Sequence, residues 1–230
     1  MRVLDAGCGP GSITVGLAPR VLPGGVVGTD QDRRAVEAAR QLAQSLALTD
    51  VSFVEADIHA LPFADQAFDA VFMHAVVQHL HDPVAALREM HRVMRPGAVI
   101  GIGDADLSMD MLYPATAGMV RSMQLFAEVR RADGGTPDAG RRLRELLQLA
   151  GFTRCTASAK SIADGTPDGI ARVGDRWAAY FSADPLIERM EQAGLASRAE
   201  LVDIASDWRA WSSHGSAVCA AFWFEAVGWK

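Results

Sequence analysis

The stretch LDAGCGPGSITVGLA, near the start of the chain, constrains the fold more than any other. A short apolar run, Val3-Leu4, ends in Asp5 and is followed by glycines at positions 7, 9 and 11. Glycine at alternate positions suits neither a helix interior nor a strand, because it gives up the most backbone entropy there. It suits a turn in which the main chain adopts positive φ or passes close to another group. The run after it, SITVGLA, has the spacing of a short helix. A strand that turns through glycines into a helix places backbone N–H groups and a strand-end acid around one point, which is the usual arrangement of a ligand cradle.

The next ninety residues repeat this alternation. GVVGTD reads as a strand, and DRRAVEAARQLAQSLAL as a helix capped by Asp32, since an Asx side chain can accept from the free N–H groups of the first turn. VSFVEAD and FDAVFMH read as strands, the third strand ending at Asp57 and the fourth near Met73-His74. DPVAALREMHRVM reads as a helix capped by Asp82, with Pro83 in the first turn, where its missing N–H costs nothing. Arg95-Pro96-Gly97 should stop that helix, and AVIGIGDA is the following strand. Strands alternating with helices imply a parallel sheet with helices on both faces, and right-handed crossovers make it doubly wound α/β. In the second half the spacing predicts helices over 115–132 and 138–150 around ADGGTP. GFTRCTASA reads as a strand, 169–211 as a long helical stretch, and AVCAAFWFEAVGW as a last strand. The chain of 230 residues is read as a single domain.

Composition narrows the partner. The net charge is −6 and no basic block occurs, so a nucleic-acid partner is not expected. No apolar run is long enough to span a bilayer. The three cysteines, Cys8, Cys155 and Cys219, are odd in number and lack a CxxC pair, which argues against a disulfide framework or a zinc site and fits a reducing, cytoplasmic setting. A small-molecule partner is the expectation.

Three glycine-loop chemistries compete for that partner. A dinucleotide loop, G-x-G-x-x-G, is met at Gly7 and Gly9, but Ser12 stands where the third glycine belongs. A phosphate loop needs Gly-Lys-Ser/Thr at its end, and no lysine is present. The pattern acid-x-G-x-G-x-G is met in full by Asp5-Ala6-Gly7-Cys8-Gly9-Pro10-Gly11. Asp30, closing the second strand, is placed to accept from ribose hydroxyls in any of the nucleoside readings.

The last pattern, together with VEADIHALPF, FDAVFMHAVVQHLHDP and LREMHRVMRPGAVIGIGD, resembles class I S-adenosylmethionine-dependent methyltransferases. Within them the chain is similar to the ubiquinone/menaquinone-biosynthesis-like group acting on small molecules, over residues 3–105. GGTPDAGRRLRELLQLAGF and LVDIASDWRAW…AFWFEAVGWK resemble a branch of these enzymes with no agreed substrate. The resemblance implies a Rossmann-like, mostly parallel seven-stranded sheet with an antiparallel last strand and helical insertions over its carboxyl edge. It divides the domain into a cofactor core, 1–105, substrate-covering insertions, 106–216, and a last strand, 217–230. It implies S-adenosylmethionine as cofactor and S-adenosylhomocysteine as product. The cofactor set carried over is Asp5, Gly7, Cys8, Gly9, Gly11, Asp30, Gln31, Asp57, Ile58 and His74, with Asp57 and the N–H of Ile58 meeting the adenine. An adenosylmethionine-binding protein without methyl transfer, a cyclase or a sensor, shares every one of these motifs. Members of the group carry helices ahead of the first strand that fold over the cofactor, and nothing precedes Met1 in this sequence. Either the start codon is misassigned, the chain is trimmed, or the protein works without that lid; the last would mean a more open site, weaker cofactor affinity and self-association as a homodimer through uncovered apolar surface.

Methyl transfer from an activated donor needs alignment and exclusion of water more than acid–base chemistry. His74 and His79 are the catalytic candidates; Asp104, Asp106 and Tyr113 lie near the same edge, and His81 is expected to cap or face solvent. No metal-ligand spacing is found. Trp208 and Trp211, three apart on one helix face, are expected in the core, as are most of the aromatic residues between Tyr113 and Trp211.

Overall fold

The computed structural model describes residues 1–106 and 110–230. The described chain forms two compact units, one of residues 1–104, 139–159 and 224–230, the other of residues 105–138 and 160–223.

The first unit is the doubly wound part. Strands β1 (Arg2–Ala6), β2 (Gly25–Asp30), β3 (Val51–Glu55), β4 (Phe68–His74) and β5 (Met94–Ala105) alternate with helices α1 (Ser12–Val21), α2 (Arg33–Ser45) and α3 (Pro83–Val93). The strand order is β3-β2-β1-β4-β5, with every neighbouring pair parallel. Successive strands run outward on one side of β1 and then resume on its other side at β4, so the order reverses between β1 and β4. Ligands of open parallel sheets bind beyond the strand ends at such a reversal. Both faces of the sheet are buried, as a parallel sheet requires. On one, Leu4, Val71 and Ile100 pack with Leu87 and Met90 of α3 and with Leu143 and Leu147 of α5 (Ala139–Leu149). On the other, Val3 and Val26 pack with Ala18 and Val21 of α1. Asp32 caps α2 by accepting from the Arg34 N–H at 2.8 Å, and Asp82 caps α3 by accepting from the Ala85 N–H at 2.9 Å, both as the sequence predicts.

The second unit is mostly helical. It contains strand β6 (Met111–Tyr113), helices α4 (Ala117–Ala132), α6 (Pro167–Phe181), α7 (Asp184–Gln192) and α8 (Arg198–Trp211), and parts of β7 (Thr153–Asp164) and β8 (Val218–Trp229). Its core gathers on Trp208, which is fully buried and stacks against Trp177 at 5.7 Å between ring centroids. The Trp208 indole N–H donates to the Ser122 hydroxyl at 3.0 Å, and that hydroxyl donates to the Met119 carbonyl at 2.6 Å, so neither buried group is left unpaired. Trp211 is also buried, its indole donating to the Tyr113 carbonyl at 3.3 Å.

The structure departs from the sequence reading in four places. Among the described residues the sheet has eight strands rather than seven; the extra one is β6, three residues that pair antiparallel with β8 and are too short to show a period. The stretch 169–211 is three helices, because Pro185 starts α7 afresh and Gly194, at φ 66°, turns the chain out of it before Ser197 caps α8. Strand β3 stops at Glu55, so Asp57 lies two residues beyond it rather than at its end. Strand β5 begins at Met94 directly after α3, and Arg95-Pro96-Gly97 lies inside it as an irregularity in the pairing with β4.

Candidate functional site

At the carboxyl ends of β1 and β2 the chain is tied into a loop from both sides. The N–H groups of Gly7 and Cys8 donate to the Thr29 carbonyl at 2.7 and 2.8 Å. The Gly9 N–H donates to Asp30 Oδ2 at 2.9 Å, and Asp30 Oδ1 accepts from the Asp32 N–H at 2.9 Å. Asp30 therefore clips the glycine loop to the start of α2. The glycines differ in what they permit. Gly9, at φ 51°, has nothing within 4 Å of where a Cβ would stand, so its face is open to an approaching ligand. Gly11, at φ 82°, would place a Cβ 2.7 Å from the Ala39 Cβ, so its role is to let the loop lie against α2.

In front of this loop is a cavity of about 560 Å³, within the usual range for small-molecule sites. The loop contributes Asp5, Gly7, Cys8, Gly9, Pro10, Ser12 and Ile13; β2 and its end contribute Thr29, Asp30 and Gln31. Residues 56–59, beyond β3, His74 at the end of β4, and residues 75–76 and 79–81, beyond it, complete the wall. Of the residues expected to hold a cofactor, Asp5, Gly7, Cys8, Gly9, Asp30, Gln31, Asp57, Ile58 and His74 come together here, with His79; Gly11 does not line the cavity. The wall carries three carboxylates and four imidazoles, and none of its described residues is lysine or arginine.

The carboxylates sit in unlike surroundings. Asp5 is 2 % exposed and accepts from the Thr14 hydroxyl at 2.6 Å. Burial pushes it up to about 6, the Thr14 bond opposing and the Asp30 charge adding to the shift. Asp57 is exposed, and its Oδ1 accepts from the His59 N–H at 2.8 Å and faces His59 Nδ1 at 3.0 Å. Those contacts hold it below the ordinary aspartate range. The Cys8 thiol is pushed up to about 12, chiefly by burial and then by Asp5 and Asp30, so it stays protonated at neutral pH and is no nucleophile.

His79 ends a short 3-10 turn, Val77–His79, and is exposed at the cavity rim beside His81, which faces solvent as expected. Asp104 is fully buried and accepts from the Gln78 N–H at 3.1 Å, which braces this turn. Asp104 does not line the cavity, and Asp106 and Tyr113 belong to the second unit. Sequence reasoning missed Thr29, Val76, Leu80 and His59. Val76 and Leu80 enter because Ala75, at φ 57°, turns the chain after β4 and donates its N–H to the Gly103 carbonyl at 2.8 Å. An alanine at positive φ leaves no mark in a sequence. His59 carried a signal, an ionisable residue two positions past the strand-end acid. Among the described residues no group of His, Cys, Asp and Glu could hold a metal ion, and no helix is long and apolar enough to cross a membrane.

Known proteins resemble the chain in the same places. A methyltransferase-domain family profile matches residues 1–164. An uncharacterized methyltransferase of Schizosaccharomyces pombe is 40% identical over 149 residues, 62% of this chain and 53% of that protein. A 2-phytyl-1,4-naphtoquinone methyltransferase of a Nostoc species is 40% identical over 103 residues, 44% of this chain and 45% of that protein. The chain thus spans about half the length of these curated relatives. Among solved structures, the YcgJ protein of Bacillus subtilis covers 100% of this chain with 91% of its own, at a TM-score of 0.63 and 17% identity, a likeness of fold. With a profile match over most of its length and the acid-x-G-x-G-x-G loop at the sheet's reversal point, the chain belongs to the methyltransferase-domain family, among the class I S-adenosylmethionine-dependent methyltransferases.

Proposed function

We propose that this protein transfers a methyl group from S-adenosylmethionine to a small-molecule acceptor, and that the cavity of the first unit holds the cofactor. The observation that carries the reading is the charge of the wall: three carboxylates and no described lysine or arginine. A dinucleotide would bring a pyrophosphate against Asp5 and Asp30, whereas a ligand with a sulfonium and an ammonium is matched by them. The open face of Gly9 fits a nucleoside laid against the main chain.

The cofactor, when bound, supplies an already activated methyl group on sulfur. The residues of this chain bind and orient. Asp30 accepts from ribose hydroxyls with the lone pairs left over by Gly9 and Asp32. Asp57 accepts from the adenine amino group beside the N–H of Ile58. Asp5, anchored by Thr14, faces the cationic end, with Gln31 and the backbone of Gly7 completing the cradle. His74 and His79 stand beyond β4, where an acceptor's proton would be taken up; a general base is useful only for a poorly ionised acceptor. Among its described residues the wall has no lysine or arginine to pair with a phosphate backbone, which with the net charge of −6 supports a small molecule over nucleic acid. The charge balance and free thiols support a cytoplasmic setting. Leu22 and Ile162 are exposed apolar residues of the kind a homodimer would cover.

Thermal melting with added ligands tests the reading. A ligand bound only by the folded state at a hundred times its Kd stabilises by about 2.7 kcal/mol. Adenosylhomocysteine should raise Tm by several degrees and NADH should leave it unchanged; the reverse result sinks the assignment. Accumulation of adenosylhomocysteine with an added acceptor then separates methyl transfer from mere binding.

A further inference from the structure

His59 sits between two groups that can only accept. Its Nδ1 is 3.0 Å from Asp57 Oδ1, and its Nε2 is 3.2 Å from the main-chain carbonyl oxygen of Asp82. A neutral imidazole carries one N–H and one bare lone pair. Whichever tautomer it took, a neutral ring would turn a lone pair towards either the carboxylate or the carbonyl. Only the doubly protonated ring donates to both. We propose that His59 is a positioning residue for the cofactor site, held as an imidazolium between the Asp57 carboxylate and the Asp82 carbonyl so as to fix the direction in which Asp57 meets its ligand. The inference rests on the cofactor reading above, in which Asp57 takes the adenine amino group.

The surroundings suit this arrangement. The groups facing the ring are the Asp57 carboxylate, the Asp82 carbonyl and the imidazole of His81, whose centroid is 4.7 Å away. Asp82 is the cap of α3, with its Oδ1 taken by the Ala85 N–H, and the first turn of that helix carries no acid. The Asp57 carboxylate thus supplies the opposite charge in direct contact with the ring, through a charge-assisted bond. Asp57 receives two bonds on Oδ1, from the main-chain N–H and the ring of His59, and among the described residues its Oδ2 has no hydrogen bond. Oδ1 is thus occupied by the protein and Oδ2 is left for the ligand. The Asp82 contact ties the loop beyond β3 to the start of α3. Loss of one ring proton removes one of the two contacts, so the ring no longer ties Asp57 to the start of α3.

The sign follows directly. Histidine changes charge between about pH 5 and 8. The clamp needs both ring nitrogens protonated while Asp57 stays ionised, so its contribution declines as pH rises. Long-range nitrogen–proton NMR spectra of the ligand-free protein at pH 6 should show both His59 ring nitrogens protonated. Calorimetry should show adenosylhomocysteine binding weakening about tenfold from pH 6 to pH 8.5 in the wild type, the size of one lost charge-assisted bond. His59→Gln keeps the main-chain N–H to Asp57 but cannot bridge both acceptors. Its binding should be weak at pH 6 and flat with pH, which a merely structural role would not produce. A singly protonated His59 ring at pH 6 overturns the proposal, and so does a wild-type slope retained in His59→Gln, which would assign it to another imidazole of the wall such as His81. Failure of the wild type to bind at any pH overturns the cofactor reading and the ligand role of Asp57 with it. The ring spectra distinguish that outcome from failure of the clamp.

Discussion

The two units bury polar groups to different ends. In the first, Asp5, Thr14 and Thr29 are almost fully buried at the carboxyl edge of the sheet, next to a cavity. Asp5 retains a carboxylate in a setting that disfavours its charge. In the second, Ser122 is buried under Trp208, and the pair is closed on itself by two hydrogen bonds. Around them Trp177, Phe181 and Trp211 stack or meet edge to face within 6.0 Å. The first unit holds buried polarity that a ligand can use, at some cost in stability. The second spends its polar groups on completing a core. Strained or poorly solvated groups gather at functional sites, and this contrast separates a site from a scaffold.

The largest effect should come from the core of the second unit. Trp208→Ala removes a fully buried indole and leaves the Ser122 hydroxyl without its donor. Truncation of a buried aromatic costs about 3–5 kcal/mol. Urea denaturation should show that loss, and a loss below about 1 kcal/mol would mean that Trp208 is not the centre of that core.

A substitution in the first unit should act in the opposite direction. Asp5 titrates at about 6 when folded, above its ordinary 3.8. The folded state thus binds more protons than the unfolded state between these values, so stability falls as pH rises through that window. The full shift corresponds to a cost on the order of 3 kcal/mol above pH 6. Asp5→Asn, which keeps an oxygen for the Thr14 hydroxyl, should be more stable than wild type at pH 7, with a flatter profile from pH 4 to pH 7. It should also bind adenosylhomocysteine less well. A variant no more stable at pH 7, with unchanged affinity, would erase the distinction drawn between the units.

The smallest effect is expected at Asp30. Asp30→Ala takes away the acceptor of the Gly9 N–H and, on the proposed reading, that of the ribose hydroxyls. Binding should weaken by about 1–3 kcal/mol, while the fold, held at Gly7 and Cys8 by the Thr29 carbonyl, persists. Wild-type affinity by calorimetry would remove Asp30 from the ligand's reach and leave it as a loop brace only.

How much of this was legible before the structure depends on the range of the interaction concerned. The five parallel strands, the caps at Asp32 and Asp82 and the glycine loop were readable, because period, cap chemistry and positive φ at glycine are local properties. The candidate cofactor residues Asp5, Asp30 and Asp57 could be chosen for the same reason: in a parallel sheet, residues at or just past the strand ends meet at one edge whatever else the chain does. The three-residue β6 and the division of 169–211 into three helices were hidden, since a short strand exists only through its partner β8 and helix breaks at Pro185 and Gly194 compete with a strongly periodic pattern.

The tertiary structure alone decided what each chosen residue does. Sequence pattern placed Asp57 near the sheet edge. The chain's course brought His59 against both it and the Asp82 carbonyl, twenty-three residues further on, and so set which carboxylate oxygen the protein itself occupies. Sequence named Gly9 and Gly11 alike, and packing separated them: one faces open space, while the other lies against Ala39. Sequence put an acid at position 5, and burial beside Thr14 raised its proton affinity. Residue type and spacing set which groups can meet, because strand and helix periods act over a few residues. Their protonation, their orientation and what they touch depend on desolvation and on partners distant in the chain, and these exist only once the core has closed.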